Sequence, residues 1–277
     1  MAKVVGGFMM PHVPSIPTGG YGEDPAQKAL SDNAFELISR RVRELEADTV
    51  IIVGDDHYEN FGPHCIPSCL IVTGDIDLSA HAQTLGMEGG PIPNNEPLAR
   101  HILETGYADD IDWAFSKSLG VDHSVGVPYH MSLKKLPGVN IIPVYLNCVV
   151  APFIRNRRAY QIGQSMLRAV QSWSGDERVV VFGTGGISHW VGGPGMGHVN
   201  VEFDHRILGM LEKGDIEGLI AIPEQMVLEE AGNGAIEIKN WLCALGMLPN
   251  ARAETIAYEP IPAWVTGCGF VELKVAD

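Results

Sequence analysis

The stretch of sequence that decides the fold is Val179-Val180-Val181-Phe182-Gly183-Thr184-Gly185-Gly186-Ile187-Ser188-His189, in which an apolar run leads through glycines to a histidine. A short apolar run rich in β-branched residues predicts a buried strand, and the glycines predict the turn that ends it. Similar runs occupy Lys3–Met10, Thr49–Val53, Ile66–Val72 and Val139–Leu146. Because these runs are almost continuously apolar, we predict a sheet that is covered on both faces and at least partly parallel.

Helical periodicity is present between and after these strands. It occupies Ala26–Leu45, Ala159–Trp173, Val201–Glu212, Asp215–Ile220, Pro223–Glu230 and Ala235–Leu245. Strands that alternate with helices indicate an α/β layered fold. Gly89–Asn95 is predicted to be a loop inside the domain, and Gly269–Val275 is predicted to add a strand. Since nothing marks a boundary, we expect a single domain over residues 1–277, with a central mixed β-sheet flanked by helices.

The charge balance excludes several classes of partner. Lys and Arg number 19 and Asp and Glu number 34, which gives a net charge of −15. Such an acidic chain is a poor candidate for binding nucleic acid or an anionic membrane surface, because both need clustered cations. The sequence has neither an apolar run of the ~20 residues that a membrane span needs nor a signal peptide. The five cysteines are odd in number and irregularly spaced, so we expect reduced thiols in a cytoplasmic protein.

Three of the ten histidines follow the predicted strands in the same way. His12, His57 and His189 each come shortly after an apolar run and its turn. Open α/β sheets bind their ligands just outside the carboxyl ends of the strands. If these strands are parallel neighbours, the three side chains meet in one crevice. The histidines in polar or loop-like surroundings are interpreted as surface or hydrogen-bonded residues, namely His64, His81, His101, His198 and His205.

A carboxylate is expected to complete such a site, and the residues offer more than one candidate. Imidazole suits divalent iron, zinc, copper and nickel, and a carboxylate commonly accompanies it. Asp55 and Asp56 adjoin His57, where one of them can instead accept a hydrogen bond from the second ring nitrogen. Glu237 lies in the first turn of a predicted helix, where it can be a ligand or can simply complement the helix dipole. Sequence spacing alone leaves these alternatives open.

The glycine-rich turn Gly183–Gly186 invites comparison with phosphate-binding loops. It matches neither G-x-G-x-x-G nor G-x-x-x-x-G-K-[ST], so nucleotide binding is not expected. Glycines at this position are better explained if the backbone approaches a buried site closely.

Five short segments, taken together, resemble a known enzyme family. They are Pro11-His12-Val13-Pro14, Asp56-His57, Val121-Asp122-His123, Gly183-Thr184-Gly185-Gly186-Ile187-Ser188-His189 and Glu230-Ala231-Gly232-Asn233-Gly234-Ala235-Ile236-Glu237. In this order, from residue 11 to residue 237, they resemble the class III extradiol ring-cleaving dioxygenases. That family includes the β subunit of protocatechuate 4,5-dioxygenase and 2,3-dihydroxyphenylpropionate 1,2-dioxygenase.

The resemblance implies a single catalytic domain that cleaves the ring of a catechol-type substrate with O2 at non-haem Fe(II). His12, His57 and Glu237 match the family's iron ligands, a facial triad that leaves coordination positions open. His189 matches the acid/base histidine, and His123 matches a second histidine that positions substrate or oxygen. The expected product is of the muconic semialdehyde type, cleaved beside the two hydroxyls.

Further expectations follow from the same resemblance. Asp56 is expected to support the neighbouring iron ligand from the second coordination sphere. The family also implies a homo-oligomer, and a small partner subunit is possible. Two alternatives keep the fold: a zinc-dependent hydrolase, because the same ligands bind zinc, and a non-catalytic binding protein. Serine hydrolysis is not indicated, because Ser188-His189 lacks the G-x-S-x-G context.

Overall fold

One mixed sheet forms the centre of the molecule. The computed structural model describes residues 1–20 and 22–275, and within these residues the sheet has eight strands in the order β4-β3-β5-β2-β6-β1-β8-β7. The strands are β1 (Lys3–Met10), β2 (Thr49–Gly54), β3 (Cys69–Leu78), β4 (Ala114–Val121), β5 (Asn140–Leu146), β6 (Arg178–Thr184), β7 (Arg252–Ile261) and β8 (Thr266–Lys274). Strands β5, β2, β6 and β1 are parallel, whereas β3 pairs with β5 and β8 pairs with β1 in antiparallel fashion. The predicted α/β fold with a central mixed sheet is confirmed.

Helices cover both faces of this sheet. They are α1 (Pro25–Glu44), α2 (Ala80–Thr84), α3 (Glu96–Ala108), α4 (His123–Pro128), α5 (Asn156–Ser172), α6 (Val201–Glu212), α7 (Ile216–Ala221), α8 (Glu224–Glu230) and α9 (Ile238–Met247). Ile51 and Val53 of β2 pack in the same apolar cluster as Trp241 of α9. Val50 and Ile52 of the same strand pack in a second cluster with Phe35 of α1. Alternate residues of a strand point to opposite faces, so the continuous apolar run in β2 follows from this double cover.

Local sequence explains where the chain turns into and out of these elements. All six residues of β2 are buried, as its apolar composition predicts. Helix α1 begins at Pro25 after Asp24, whose side chain accepts a hydrogen bond from the first turn while Gln27 bonds back to the Asp24 backbone. Such a capping box satisfies amide groups that have no partner inside the helix.

The structure contains five strands and helices that the sequence patterns did not indicate, namely β4, β7, α2, α3 and α4. Strands β4 and β7 lie at the two edges of the sheet and are largely half-buried or exposed, so their sequences lack an apolar run. Helix α3 buries only a narrow stripe that includes Leu98, Ala99 and Ile102. Several element boundaries also differ from those predicted. The predicted strand Ile66–Val72 is β3, which extends to Leu78, and the predicted helix Ala235–Leu245 is a 3-10 turn (Gly234–Glu237) followed by α9.

Several expectations about the whole chain can be compared with the structure. No helix within the described residues is both long and apolar enough to cross a membrane. The five cysteines are free, with Cys65 exposed and the other four buried. The predicted loop Gly89–Asn95 connects α2 to α3. The single catalytic domain over residues 1–277 stays a prediction.

Candidate active site

The site lies where three neighbouring parallel strands end. Strand β6 pairs in parallel with both β1 and β2, and its register places Met10 beside Thr184 and Val53 beside Gly183. The carboxyl ends of these strands therefore lie along one edge of the sheet. Each strand is followed in sequence by one of the three histidines, His12, His57 or His189. The prediction that these strands are parallel neighbours is confirmed, and their histidines do meet.

Two of these histidines face one carboxylate. Nε2 of His12 lies 3.4 Å from Oε2 of Glu237, and Nε2 of His57 lies 3.2 Å from Oε1 of the same residue. Together with Asp55, these residues offer one nitrogen or oxygen atom each, all within 4.8 Å of one another. Two imidazoles with carboxylate oxygens are a donor set that suits a divalent transition metal. The residues therefore fit a metal ion at this point.

Asp55 contributes a second carboxylate to this group. Its side chain is 0% exposed, and Oδ1 accepts a hydrogen bond of 2.8 Å from Asn240. Its other oxygen, Oδ2, has no hydrogen-bond partner among the described residues and lies 3.6 Å from Nε2 of His57. Burial, and then the charge of Glu237, raise the pKa of Asp55 to about 7. A buried carboxylate oxygen without a partner is unfavourable unless a cation lies beside it.

Close backbone packing holds Glu237 in place. The residue is the last of the 3-10 turn before α9, and not part of a regular first turn as predicted. Oε2 accepts a hydrogen bond of 3.1 Å from the Gly186 backbone N–H. Gly185 has φ +142°, and a Cβ atom there would lie 2.6 Å from Cβ of Glu237. The glycine-rich turn after β6 thus lets the backbone approach the carboxylate, as the sequence indicates. Although burial opposes ionisation, His12 and His189 hold the pKa of Glu237 well below its ordinary value.

Hydrogen bonds fix which nitrogen each ring presents. The hydroxyl of Thr184 lies 3.2 Å from the Val53 carbonyl, to which it donates, and 3.0 Å from Nδ1 of His12. The hydroxyl oxygen is then the acceptor for Nδ1–H, which leaves Nε2 of His12 with a free lone pair. Such partners set the tautomer and orientation of a metal-binding imidazole.

The equivalent partner of His57 is Asp122. Oδ1 of Asp122 lies 3.1 Å from Nδ1 of His57, and Oδ2 accepts a 2.9 Å hydrogen bond from the His57 backbone. Nε2 is again the nitrogen that faces the carboxylates. Burial would raise the pKa of Asp122, but the adjacent His123 and His57 rings keep it well below its ordinary value.

The expected role of Asp56 is corrected by these contacts. Its carboxylate accepts hydrogen bonds from the backbone N–H groups of Asn60 and Phe61 and from the Asn60 side chain. It therefore holds the turn that follows His57, while Asp122 holds the His57 ring. The reason is geometric: a side chain next to a ligand in sequence points away from it when the strand alternation continues past the strand end.

His189 occupies the third strand end. Nδ1 lies 3.3 Å from the Ile187 carbonyl, and Nε2 lies 3.6 Å from Oε1 of Glu237. A Cβ atom on Gly234 would lie 2.0 Å from Nε2, so the ring packs against bare backbone. Burial lowers the pKa of His189, but the Glu237 charge outweighs it and the pKa is raised above its ordinary value. The imidazole faces the site without being one of the four clustered ligand candidates.

His123 brings a fourth imidazole to the same place. Its ring centroid lies 4.3 Å from that of His57 and 5.5 Å from that of His12. Nδ1 lies 2.7 Å from Oε1 of Glu59. His81, which the sequence suggested to be an unremarkable polar residue, lies near this pair, since its ring centroid is 6.2 Å from that of His123. The fold therefore gathers every site residue that the sequence named, apart from the turn-holding Asp56.

The other histidines make ordinary contacts away from the strand ends. His101 bonds to Ser172, and His198 lies against Trp190. His64 is exposed. Sequence reasoning missed Glu59 as a site residue and named Asp122 only within a motif, because their contacts with histidine rings depend on how β4 and the turn after β2 come together.

The fold and the site together define an α/β protein with a candidate metal centre at the strand ends, flanked by two further imidazoles. Residues 6–269 match the family described as the catalytic LigB subunit of aromatic ring-opening dioxygenase, and the chain belongs to this family. The resemblance to the class III extradiol dioxygenases is thereby confirmed.

Curated relatives agree with this membership. A protein of Burkholderia vietnamiensis named 2,3-dihydroxyphenylpropionate/2,3-dihydroxicinnamic acid 1,2-dioxygenase is 26% identical over 93% of this chain and 94% of its own length. A protein of the same name from Klebsiella pneumoniae subsp. pneumoniae is 28% identical over 89% and 92%. In a solved structure, an uncharacterized protein from Escherichia coli K12 shares the fold with a TM-score of 0.60 and 12% identity, over 97% of this chain and 99% of that one.

Proposed function

We propose that this protein is an Fe(II)-dependent extradiol dioxygenase that cleaves a catechol-type ring with O2 to a muconic semialdehyde-type product. The observation that carries the proposal is the convergence of His12, His57 and Glu237 within a chain of this family. Their two imidazoles and one carboxylate match the donor set of non-haem Fe(II) oxygenases. Bound Fe(II) would bring the substrate oxygens and O2 together on one centre, which removes much of the entropic barrier to their meeting.

The acid/base role is assigned to His189. Its Nδ1–H donates to the Ile187 carbonyl, so Nε2 is the nitrogen that can gain or lose a proton, and it faces Glu237 and the site. In this position Nε2 can take a proton from a phenolic hydroxyl and later return it to an oxygen of the opening ring. Such proton transfer is a task for which histidine is suited near neutral pH.

His123 is assigned to positioning the substrate or oxygen. Its ring lies against His57 and His12, close to the candidate metal ligands. Glu59 holds Nδ1, so Nε2 is left to meet a substrate hydroxyl or oxygen. Because the partner of Nδ1 is a buried carboxylate, the ring orientation is well defined before any substrate arrives.

The substrate we propose is a substituted catechol. The relatives from Burkholderia vietnamiensis and Klebsiella pneumoniae are named for 2,3-dihydroxyphenylpropionate, and protocatechuate-like compounds belong to the same chemical class. We further propose that the enzyme works in the cytoplasm as a homo-oligomer, with or without a small partner subunit. The odd number and irregular spacing of the five cysteines support a reducing compartment.

Metal analysis combined with an oxygen-uptake assay tests this proposal. The protein is purified without oxygen, stripped of metal and reloaded separately with Fe(II) and with Zn(II). We expect oxygen uptake on catechols, with a ring-opened product, only after loading with Fe(II). Zinc binding with hydrolysis and no oxygen uptake would support a hydrolase instead, and failure to bind either metal would support a non-catalytic relative.

A further inference from the structure

One oxygen atom of the site is not used by the three proposed ligands. Oδ2 of Asp55 is buried, has no hydrogen-bond partner among the described residues and lies 3.6 Å from Nε2 of His57. Oδ1 of the same carboxylate is bonded to Asn240. One half of the side chain is therefore held, and the other half is directed at the point where His12, His57 and Glu237 meet.

The surroundings of Asp55 fix this orientation from two sides. The Asn240 amide, on α9, donates both to Oδ1 at 2.8 Å and to the Thr184 carbonyl at 3.0 Å, so it cannot follow the carboxylate if the carboxylate turns. The backbone is held by Ser124, whose hydroxyl donates to the Asp55 carbonyl at 2.6 Å and lies 3.2 Å from its nitrogen. A side chain held this firmly, with one buried oxygen unpaired, is preorganised for a cation.

We propose that Asp55 is a fourth protein ligand of the resting metal ion, through Oδ2. This inference rests on the metal site of the proposed function and changes its composition to two histidines and two carboxylates. The two carboxylate charges then balance those of a divalent ion. Asp55 occupies one of the positions that the triad leaves open, so it must give way when both substrate hydroxyls and O2 are to be accommodated.

The first test compares metal affinities of the wild-type protein, Asp55→Asn and Asp48→Asn. Asp48 precedes the same strand, about 23 Å from Asp55 at ~3.3 Å per residue, and its carboxylate accepts a hydrogen bond from the Arg178 backbone N–H. The control thus loses the same charge at the opposite end of β2. We expect Asp55→Asn to bind Fe(II) more weakly by more than about 100-fold, beyond the ~10–100-fold typical of losing a group that only supports a ligand. Asp48→Asn should match wild type.

The second test counts water molecules on the metal. Mn(II) is loaded into wild type and Asp55→Ala, and its electron paramagnetic resonance lines are recorded in ¹⁷O-labelled water. If Asp55 is a ligand, the alanine variant has one more bound water than wild type. An unchanged count would overturn the proposal, because a carboxylate that merely accepts a hydrogen bond from bound water leaves that water in place.

Thermal unfolding of the metal-free proteins separates this effect from misfolding. Asparagine keeps the acceptor for Asn240 and leaves no ionisable group at this buried position, so metal-free Asp55→Asn should unfold at the same temperature as wild type or higher. If wild type and Asp55→Asn bind Fe(II) equally tightly, Asp55 is not a ligand, and the proposed ligand set of His12, His57 and Glu237 is unaffected. Wild type that binds no metal at all would overturn both proposals.

Discussion

Oε1 of Glu59 lies 2.7 Å from Nδ1 of His123 and 3.2 Å from the His123 backbone nitrogen, so one carboxylate oxygen holds both the ring and the start of α4. The second carboxylate oxygen accepts a hydrogen bond from the Ser79 hydroxyl. The Glu59 side chain is 3% exposed. Because both carboxylate oxygens of Glu59 are hydrogen-bonded, this buried carboxylate defines the orientation of the His123 ring. Glu59 lies in a turn that carries no recognisable motif.

The first prediction therefore concerns Glu59. Glu59→Ala should retain iron and lower kcat/KM by up to about 100-fold, because a catalytic geometry displaced by ~1 Å can lose that much. Glu59→Gln keeps an oxygen that accepts from Nδ1–H and should recover most of the activity. Steady-state kinetics with metal analysis of both variants checks this. Equal losses in the two variants would show that the charge, and not the ring orientation, matters.

The second prediction concerns His189. His189→Ala should keep iron and still bind catechol, while kcat falls by ~10²–10⁴-fold, the usual contribution of general acid–base catalysis. His101→Ala, which changes a histidine bonded to Ser172, provides the control. Loss of iron from His189→Ala would instead identify His189 as a ligand, since its Nε2 is only 3.6 Å from Glu237.

The third prediction concerns the three proposed iron ligands. His12→Ala, His57→Ala and Glu237→Ala should each abolish iron retention, because each removes a donor from a cluster whose atoms lie within 4.8 Å of one another. Iron content after anaerobic reconstitution and desalting is the measurement. His64→Ala removes an exposed histidine and should retain full iron. Full occupancy in any of the first three variants would remove that residue from the ligand set.

The fourth prediction is a pH dependence of metal binding. In the metal-free protein burial opposes a charged His57, yet Asp122 and Asp55 raise its pKa well above the ordinary value. The pKa of Asp55 is raised to about 7. Both groups therefore hold protons below neutral pH, and a metal must displace them. Fe(II) affinity, measured by chelator competition, should rise from pH 6 to pH 8 by about tenfold per pH unit for each displaced proton. An affinity that is constant over this range would contradict the prediction.

The fifth prediction concerns substrate charge. The net charge of −15 should repel anionic catechols at long range, and salt screens such repulsion beyond ~10 Å at 0.1 M. Added salt should therefore raise kcat/KM for a carboxylated catechol and hardly change it for neutral catechol, provided that substrate capture limits kcat/KM. A steep fall with salt for the anionic substrate alone would reveal a locally positive entrance.

The arginines from Arg155 to Arg158 bear on that outcome, because they are one possible local cation for a carboxylated substrate. Arg157 pairs with Glu217, and Arg158 donates to the Asp110 carbonyl. The cluster is therefore at the solvated start of helix α5, with Arg155 as the N-cap, and not in a surface turn as predicted.

How much of this architecture the sequence predicts depends on where each element lies. Strands β2 and β6 are covered on both faces, so their apolar runs identify them without ambiguity. Strand β4 is at an edge and contains Lys117 and two serines, so its pairing with β3 depends on neighbours that a local pattern does not contain. The positions of the strand-end histidines could be predicted because neighbouring parallel strands end at the same edge of a sheet, so residues that follow them in sequence lie close together.

The supporting residues of the site are harder to predict. Asp122 contacts His57 across 65 positions of sequence, a distance that no local spacing can report. The direction of the Asp55 side chain could, however, be predicted. Side chains on a strand alternate between its two faces, so Ile51, Val53 and Asp55 all point to the face covered by α9, which carries Asn240. The same alternation directs Asp56 away from that face. Strand parity is therefore a usable signal for the first residues beyond a strand.

The register of β1 against β6 has a consequence for when the enzyme can acquire its metal. Met10 pairs beside Thr184, and the proposed ligands His12 and Glu237 come from opposite ends of the chain. During synthesis the proposed ligand set is incomplete until Glu237 has left the ribosome, long after His12. Contacts between such distant segments form slowly. If iron binds at this site, it enters a folded chain, and a chain truncated before Glu237 should remain without metal however much iron the cell supplies.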